Sequence, residues 1–150
     1  MKVKEIMKKE VTSINPDDNA LEALRQLFKM KISGLPVVDG QGKLKGMFTE
    51  KEVLSSVLPS YIDKVGSFVY EENPKATKKK FTALSGMRVS EVMREEVVTT
   101  GEDATLCEVA RIMLTRKARR LPVVDKSGRM VGIIARCDIV EALAKEAVEL

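Results

Sequence analysis

An α+β (α/β) fold of two tandem β-α-β-β-α repeats is what this sequence predicts, and three observations carry the prediction. The first is a hairpin written twice. Leu35-Pro36-Val37-Val38-Asp39, a turn at Gly42 and the run Leu44 to Phe48 return as Leu121-Pro122-Val123-Val124-Asp125, a turn at Gly128 and the run Met130 to Ile134. Apolar, β-branched runs on either side of a polar glycine turn read as two short buried strands. The second observation is register: Pro36 and Pro122 are 86 positions apart, and that offset holds from Val3–Leu58 onto Val89–Ala144 without insertion or deletion. Val3, Glu5, Met7, Asp17 and Lys31 thus match Val89, Glu91, Met93, Asp103 and Lys117. The third is a stripe of apolar residues at helical spacing ahead of each hairpin.

Each copy follows the same path. Val3, Ile6 and Met7 predict a short helical turn leading into the strand-like Val11-Thr12-Ser13-Ile14. Pro16-Asp17-Asp18 is turn chemistry, and Asn19 with Glu22 three residues later predicts a helix start. The helix should bury Leu21, Leu24, Leu27 and Phe28 and end near Lys31. After the hairpin, Thr49 to Leu54 opens a second helix that fades at Pro59. In the second copy Val97-Val98-Thr99-Thr100 is the short strand, and Thr105 with Glu108 forms a capping-box pattern. Leu106, Val109, Ala110 and Met113 make the buried stripe, and Ile139, Val140 and Leu143 lie on the last helix. The expected organisation is a first repeat at 1–58, an inter-repeat insertion at 59–88 and a second repeat at 89–150.

Composition bounds the function. With 150 residues, 44% of them hydrophobic, the chain can bury one sizeable core, whereas a single copy is near the lower limit for folding alone, so the two are expected to pack together. A net charge of +4 implies some attraction to anions, diluted by acidic residues spread throughout. The sequence contains no histidine, which excludes histidine triads, histidine metal sites and imidazole acid–base chemistry. Cys107 and Cys137 are isolated and fit two reduced thiols. Neither a signal-peptide pattern nor a run of about 18 apolar residues appears, so a cytoplasmic location is expected.

The insertion has no counterpart in either copy. Tyr61, Val65, Phe68 and Val69 could share one helix face, Glu71-Glu72-Asn73-Pro74 breaks the pattern, and Lys75 to Lys80 is a basic run. We expect a segment that is partly helical and partly mobile, its lysines forming a solvated surface in preference to a phosphate-contacting lid.

The doubled unit, with Leu-Pro-Val-Val-Asp, a glycine turn, and then a Gly-apolar-apolar run leading into Thr49-x-x-Glu52 or Ala135-x-x-Asp138, resembles the cystathionine β-synthase (CBS) domain pair, or Bateman module. The resemblance covers all but the insertion. It implies a non-catalytic sensing module in which the repeats pack as a pseudo-two-fold disc, with clefts for adenine nucleotides such as AMP, ADP or ATP, or for S-adenosylmethionine. It further implies crosswise clefts. The residues before Leu-Pro and the short strand of one repeat cradle the base, and the helix start of the other meets ribose and phosphate. One cleft would then use Thr12, Ile32, Ser33 and Gly34 with Ile133, Ala135, Cys137 and Asp138; the other Val98, Ala118, Arg119 and Arg120 with Met47, Thr49, Lys51 and Glu52.

Neither set matches the family pattern fully. The resemblance makes Asp138 the ribose carboxylate, able to accept two hydroxyl protons, but Ala135 lacks the hydroxyl it implies at the phosphate end. Thr49 has that hydroxyl, but Glu52 replaces the aspartate, and Thr49 with Glu52 fits a capping box as well as a binding site. Because Ala135 cannot cap, a reciprocal box is not expected at Asp138. Arg119 and Arg120, expected to be partly buried beside a cleft, suit phosphate oxygens.

These residues imply a regulatory module that binds an adenine nucleotide and signals to an unidentified effector protein, with homodimerisation as one means of transmission. No catalytic cofactor and no metal are expected. Two other classes compete. A nucleic-acid-binding protein would use Lys75 to Lys80 and Arg116 to Arg120, yet the chain has no Trp and only two Tyr to act as stacking platforms. An enzyme would need a nucleophile–base pair, a metal cluster or a phosphate loop, and none is written here.

Overall fold

The strands form where the repeated passages fall. The computed structural model describes residues 1–58 and 74–148, so the expectations for Pro59, Tyr61, Val65, Phe68, Val69 and Glu71 to Asn73 lie outside the described residues. In chain order the elements are α1 (Val3–Ile6), α2 (Ala20–Met30), β1 (Gly34–Val38), β2 (Leu44–Thr49), α3 (Glu50–Val57) and α4 (Pro74–Ala83). A 3-10 turn (Leu84–Gly86) leads to α5 (Val89–Val92), β3 (Thr100–Gly101), α6 (Leu106–Arg116), β4 (Arg120–Val124), β5 (Met130–Ala135) and α7 (Arg136–Ala147). The helix, two strands and helix expected for each repeat are present, and α4 lies on the basic run Lys75 to Lys80 of the insertion, for which no helix was expected.

Local chemistry explains the boundaries. Asn19 caps α2, its side-chain oxygen accepting from the N–H groups of Leu21 and Glu22 at 3.0 and 3.1 Å. Thr105 and Glu108 cap α6 reciprocally, at 3.2 and 3.0 Å. Both helices end on a lysine in the left-handed region, Lys31 at φ 56° and Lys117 at φ 54°. The turns after β1 and β4 are held by the aspartate that closes each Leu-Pro-Val-Val-Asp passage. Asp39 Oδ1 accepts from the N–H groups of Gln41 and Lys43, and Asp125 Oδ1 from those of Ser127 and Arg129 and from the Ser127 hydroxyl. Gly42 and Gly128 take the positive φ, 82° and 87°, that these turns require.

Two compact units form, and neither is one repeat. The first comprises 1–12, 38–44 and 96–150; the second comprises 13–37 and 45–95. In the first, β4 lies between β3, parallel to it, and β5, antiparallel to it, with Leu121 opposite Ile134 and Pro122 opposite Ile133. Its core is Leu106, Val109, Met113, Leu121, Val123, Ile134 and Ile139, completed by Val3 of the first repeat. Ile6 and Met7 pack against it, and Val3 N–H and Lys4 N–H donate to the carbonyls of Ala104 and Glu102 at 2.9 and 3.0 Å. In the second unit, residues of α2, β1, β2 and α3 surround Phe48, and Val89 and Val92 of the second repeat complete that core.

Each unit therefore takes its first helix from the other repeat. The residues after those helices are tied down by matching bonds: Lys8 and Ile133 exchange two backbone hydrogen bonds of 2.9 Å in the first unit, and Arg94 and Met47 do the same in the second. A glycine makes each approach possible. A Cβ on Gly132 would stand 2.7 Å from Met7 Sδ and 2.8 Å from the Lys8 carbonyl; one on Gly46 would stand 2.9 Å from Met93 Sδ and 2.5 Å from the Arg94 carbonyl.

Two local expectations change and one holds. Phe28 is 64% exposed, because the buried stripe of α2 runs through Ala20, Ala23, Leu24 and Leu27 and leaves Phe28 on the solvent side. The expected first strand of each repeat shrinks to the contacts that sheet pairing supports. In the first repeat only Ile14 bridges to Val37, and in the second the strand is Thr100–Gly101 beside Val123 and Val124. The lysines Lys75, Lys78, Lys79 and Lys80 on α4 are exposed, as a solvated surface requires.

Candidate ligand-binding site

Because β1–β2 and β4–β5 are hairpins, the residue entering the first strand lies beside the residue leaving the second. Each unit accordingly brings together two groups from the same repeat. In the first, Arg120 pairs with Ala135, the Arg136 N–H donates to the Arg119 carbonyl at 2.9 Å, and the Arg136 guanidinium donates to the Ala118 carbonyl at 3.2 Å. In the second, the Glu50 N–H donates to the Ser33 carbonyl at 2.9 Å, and Gly34 abuts Thr49 so closely that a Cβ there would stand 2.7 Å from Thr49 Cγ2.

The remaining expected residues fall in place around these junctions. Ile32 is half-buried against the core of the second unit, while Met47 is half-buried and bonded to Arg94. Lys51 is exposed on the first turn of α3. In the first unit Val98 and Ala118 pack against the core, Ile133 is held by Lys8, and Thr12 and Cys137 are exposed. Thr12 belongs to the first unit and Ile32, Ser33 and Gly34 to the second. Arg119 and Arg120 are both exposed, correcting the expected partial burial: at the mouth of a strand their side chains extend into solvent, and no desolvation demands a counter-ion.

Two carboxylates stand at the helix starts. Asp138, half-buried at the third position of α7, accepts the Ala135 N–H on Oδ2 at 2.9 Å. The reciprocal box is absent, as Ala135 requires, but its acidic half is present, since that member needs only the N-cap backbone N–H. Its other oxygen, Oδ1, has the Cys137 thiol at 4.0 Å. Glu52 is bound more fully. Thr49 Oγ1 donates to Glu52 Oε2 and accepts the Glu52 N–H, and Arg94 reaches Glu52 Oε1 at 3.3 Å.

A hollow of about 390 Å³ adjoins Asp138, bordered also by Met1, Ile6, Glu141, Ala142, Lys145 and Glu146, a size usual for small-molecule sites. A larger open hollow, about 630 Å³, lies between Gly101–Ala104 and Val124–Ser127, away from the expected residues. Two of its carboxylates are already engaged. Asp103 is held below the usual aspartate range by the Lys4 ammonium, and Asp125 by the Ser127 hydroxyl and the turn N–H groups. In the hollow beside Asp138, Glu141 is paired with Lys145 at 2.7 Å, but among the described residues Asp138 Oδ1 has only the weak Cys137 thiol near it, which leaves that oxygen open to a ligand donor. Sequence reasoning missed Arg136 and Arg94. Arg136 occupies the first position of α7, where its backbone N–H completes the junction, and Arg94 becomes relevant only through the exchange of first helices.

Two copies of one β-α-β-β-α unit, each juxtaposing the approach to its first strand with a helix start, define a tandem-repeat α+β module. Among the described residues no group of His, Cys, Asp and Glu is placed to hold a metal ion, and no helix is long and apolar enough to cross a membrane. The chain belongs to the CBS domain family, whose model matches residues 3–59 and 89–145 and so makes it a CBS pair. It is 32% identical over 163 aligned residues to the uncharacterized protein MJ1426 of Methanocaldococcus jannaschii, spanning 95% of this chain and 91% of that protein. CBSX2, in its structure in complex with AMP, aligns over 98% of both chains at 26% identity with a TM-score of 0.72. The CBS domain pair of protein MJ0100, in complex with 5′-methylthioadenosine and S-adenosyl-L-methionine, aligns over 97% of this chain and 98% of that one, at 26% identity and a TM-score of 0.67.

Proposed function

We propose that this chain is a non-catalytic regulatory module of the cytoplasm that binds an adenine nucleotide and reports its level to a partner protein. The observation that carries the reading is the junction in the first unit. Arg120 lies opposite Ala135, whose N–H orients Asp138, while Arg119 and Arg136 meet through a backbone bond. A carboxylate oxygen for ribose hydroxyls and guanidinium groups for phosphate oxygens are the two functions a nucleotide needs. That CBSX2 was solved with AMP, and the MJ0100 pair with two adenosyl ligands, supports the adenine part. The ligand regulates if it binds two arrangements of the module with different affinity, shifting the population a partner encounters.

Calorimetric titration with AMP, ADP, ATP and S-adenosylmethionine tests this. We expect binding of at least one, and no heat from any of the four at millimolar concentration would refute it. The combined Arg119→Ala and Arg120→Ala variant should weaken ATP more than adenosine, and equal losses would remove the arginines from the phosphate role. Homodimerisation draws support from matched exposed apolar side chains, Phe28 with Leu114 and Leu54 with Val140. Sedimentation at micromolar concentration tests it, and a single monomeric species would refute it. The S-adenosylmethionine alternative is supported by the MJ0100 complex and by the acidic residues Glu141 and Asp138 at the hollow, which suit a cationic ligand. Nucleic-acid binding through Lys75 to Lys80 and Arg116 to Arg120 rests on exposed charge alone, and a salt-dependent mobility shift would expose it.

A further inference from the structure

Resting on the nucleotide reading above, we infer that the two repeats are not equivalent as binding sites: the chain takes one nucleotide, at Asp138, because an internal ion pair occupies the matching position at Glu52. The two carboxylates are 86 positions apart in register, yet their surroundings differ at each of three points.

The first difference is the helix cap. Thr49 has a hydroxyl, and it donates to Glu52 Oε2; its counterpart Ala135 has none, so Asp138 is spared that bond. The second is the arginine. Arg94 is carried onto β2 by the exchanged segment, its backbone locked to Met47 by two bonds of 2.9 Å, and its guanidinium reaches Glu52 Oε1 at 3.3 Å. The counterpart of Arg94 is Lys8, locked to Ile133 by the same backbone bonds but exposed and making no ion pair with Asp138. The third is carboxylate length. With one more methylene Glu52 reaches both Thr49 and Arg94, and its side chain is 13% exposed. Both oxygens of Glu52 thus have nitrogen or oxygen donors from the protein, whereas among the described residues Asp138 Oδ1 has only the weak Cys137 thiol, at 4.0 Å.

A ligand hydroxyl arriving at Glu52 must displace a charge-assisted bond from Arg94, whose guanidinium is partly exposed, or the bond from the Thr49 hydroxyl. At Asp138 it meets, among the described residues, only the Ala135 N–H on Oδ2 and the Cys137 thiol 4.0 Å from Oδ1, neither of them charged. The facing residues differ too: in the second repeat the exposed Arg120 stands opposite Ala135, while in the first Gly34 meets Thr49.

Calorimetric stoichiometry on the full chain, with AMP and ATP as probes, decides the matter. The wild-type protein should bind one equivalent, Asp138→Ala should bind none, and Glu52→Gln should retain the wild-type equivalent with affinity within about threefold. Arg94→Ala should gain a second, weaker equivalent, and Arg94→Lys, which preserves the positive charge, should not. Two equivalents in the wild type, binding retained by Asp138→Ala, or one equivalent in Arg94→Ala would each overturn the inference while leaving nucleotide binding itself intact. No binding by the wild type would instead sink the nucleotide reading, and the inference with it. Circular dichroism of each variant separates loss of a site from loss of fold.

Discussion

Replacing Gly132 with alanine should loosen the seam that joins the first helix of one repeat to the sheet of the other. The new Cβ would stand 2.7 Å from Met7 Sδ and 2.8 Å from the Lys8 carbonyl oxygen, both well inside contact distance. The sulfur can swing away at the end of a flexible side chain. The carbonyl cannot, because Lys8 and Ile133 are bound through both of their backbone groups at 2.9 Å. Overpacking of this kind costs about 1–3 kcal/mol, and losing the paired hydrogen bonds adds about 0.5–1.5 kcal/mol each. A total of about 3 kcal/mol is a large part of the 5–15 kcal/mol typical of a folded domain. For a chain of this size it lowers the melting temperature by roughly 6–12 °C. Thermal melts followed by circular dichroism test the figure, and hydrogen exchange at Lys8 and Ile133 tests the location. Gly46→Ala, which meets Met93 Sδ and the Arg94 carbonyl in the same way, should behave alike, while Gly101→Ala meets nothing within 4 Å and serves as the control. If Gly132→Ala melts within about 1 °C of the wild type, the seam is not held as described.

Removing helix caps should cost less: Asn19→Ala and Thr105→Ala are each expected to lose about 1 kcal/mol, read as a lower urea midpoint with an unchanged slope. Lys31→Gly and Lys117→Gly should gain about 0.5–1 kcal/mol, since glycine takes the left-handed conformation without the Cβ penalty, and a melt lowered by either would refute the strain argument. Stability should fall in acid. Asp103 and Asp125 are held below the ordinary 3.8 and Glu141 below the ordinary 4.5 by their donors, so their contributions are full above those values and vanish as pH drops below them. Lys4 is raised above 10.5 by Asp103, so its share is present below that pH and is lost in stronger alkali. A melting temperature unchanged between pH 6 and pH 2 would contradict the acid limb. Phe28→Ser should leave the monomer's stability within about 0.5 kcal/mol, as befits an exposed residue, and a larger loss would place Phe28 in a core.

Much of this architecture was legible in the sequence because its signals are local. Apolar spacing announced α2 and α6, Asn19 and Thr105 announced their starts, and the repeated hairpins followed from β-branched runs around Gly42 and Gly128. What periodicity could not convey was the face chosen within a stripe: Phe28 continues the pattern of Leu24 and Leu27, but the core lies on the side of Ala20 and Ala23. Nor could spacing reveal how a cap is filled. Asp138 uses the Ala135 N–H, a backbone group that every residue but proline possesses, so the missing hydroxyl of Ala135 hid a real contact.

By itself, the sequence determined the doubled β-α-β-β-α plan, the caps and the turns, since each depends on residues within a few positions of one another. The exchange of first helices, the two glycine contacts and the Arg94–Glu52 pair were decided only by tertiary structure. They join residues far apart in the chain, such as Met7 with Gly132 and Arg94 with Glu52. Any repeat could close its core with either copy of the short helix, because Val3 and Val89 are the same residue in the same register, and only packing selects which one does.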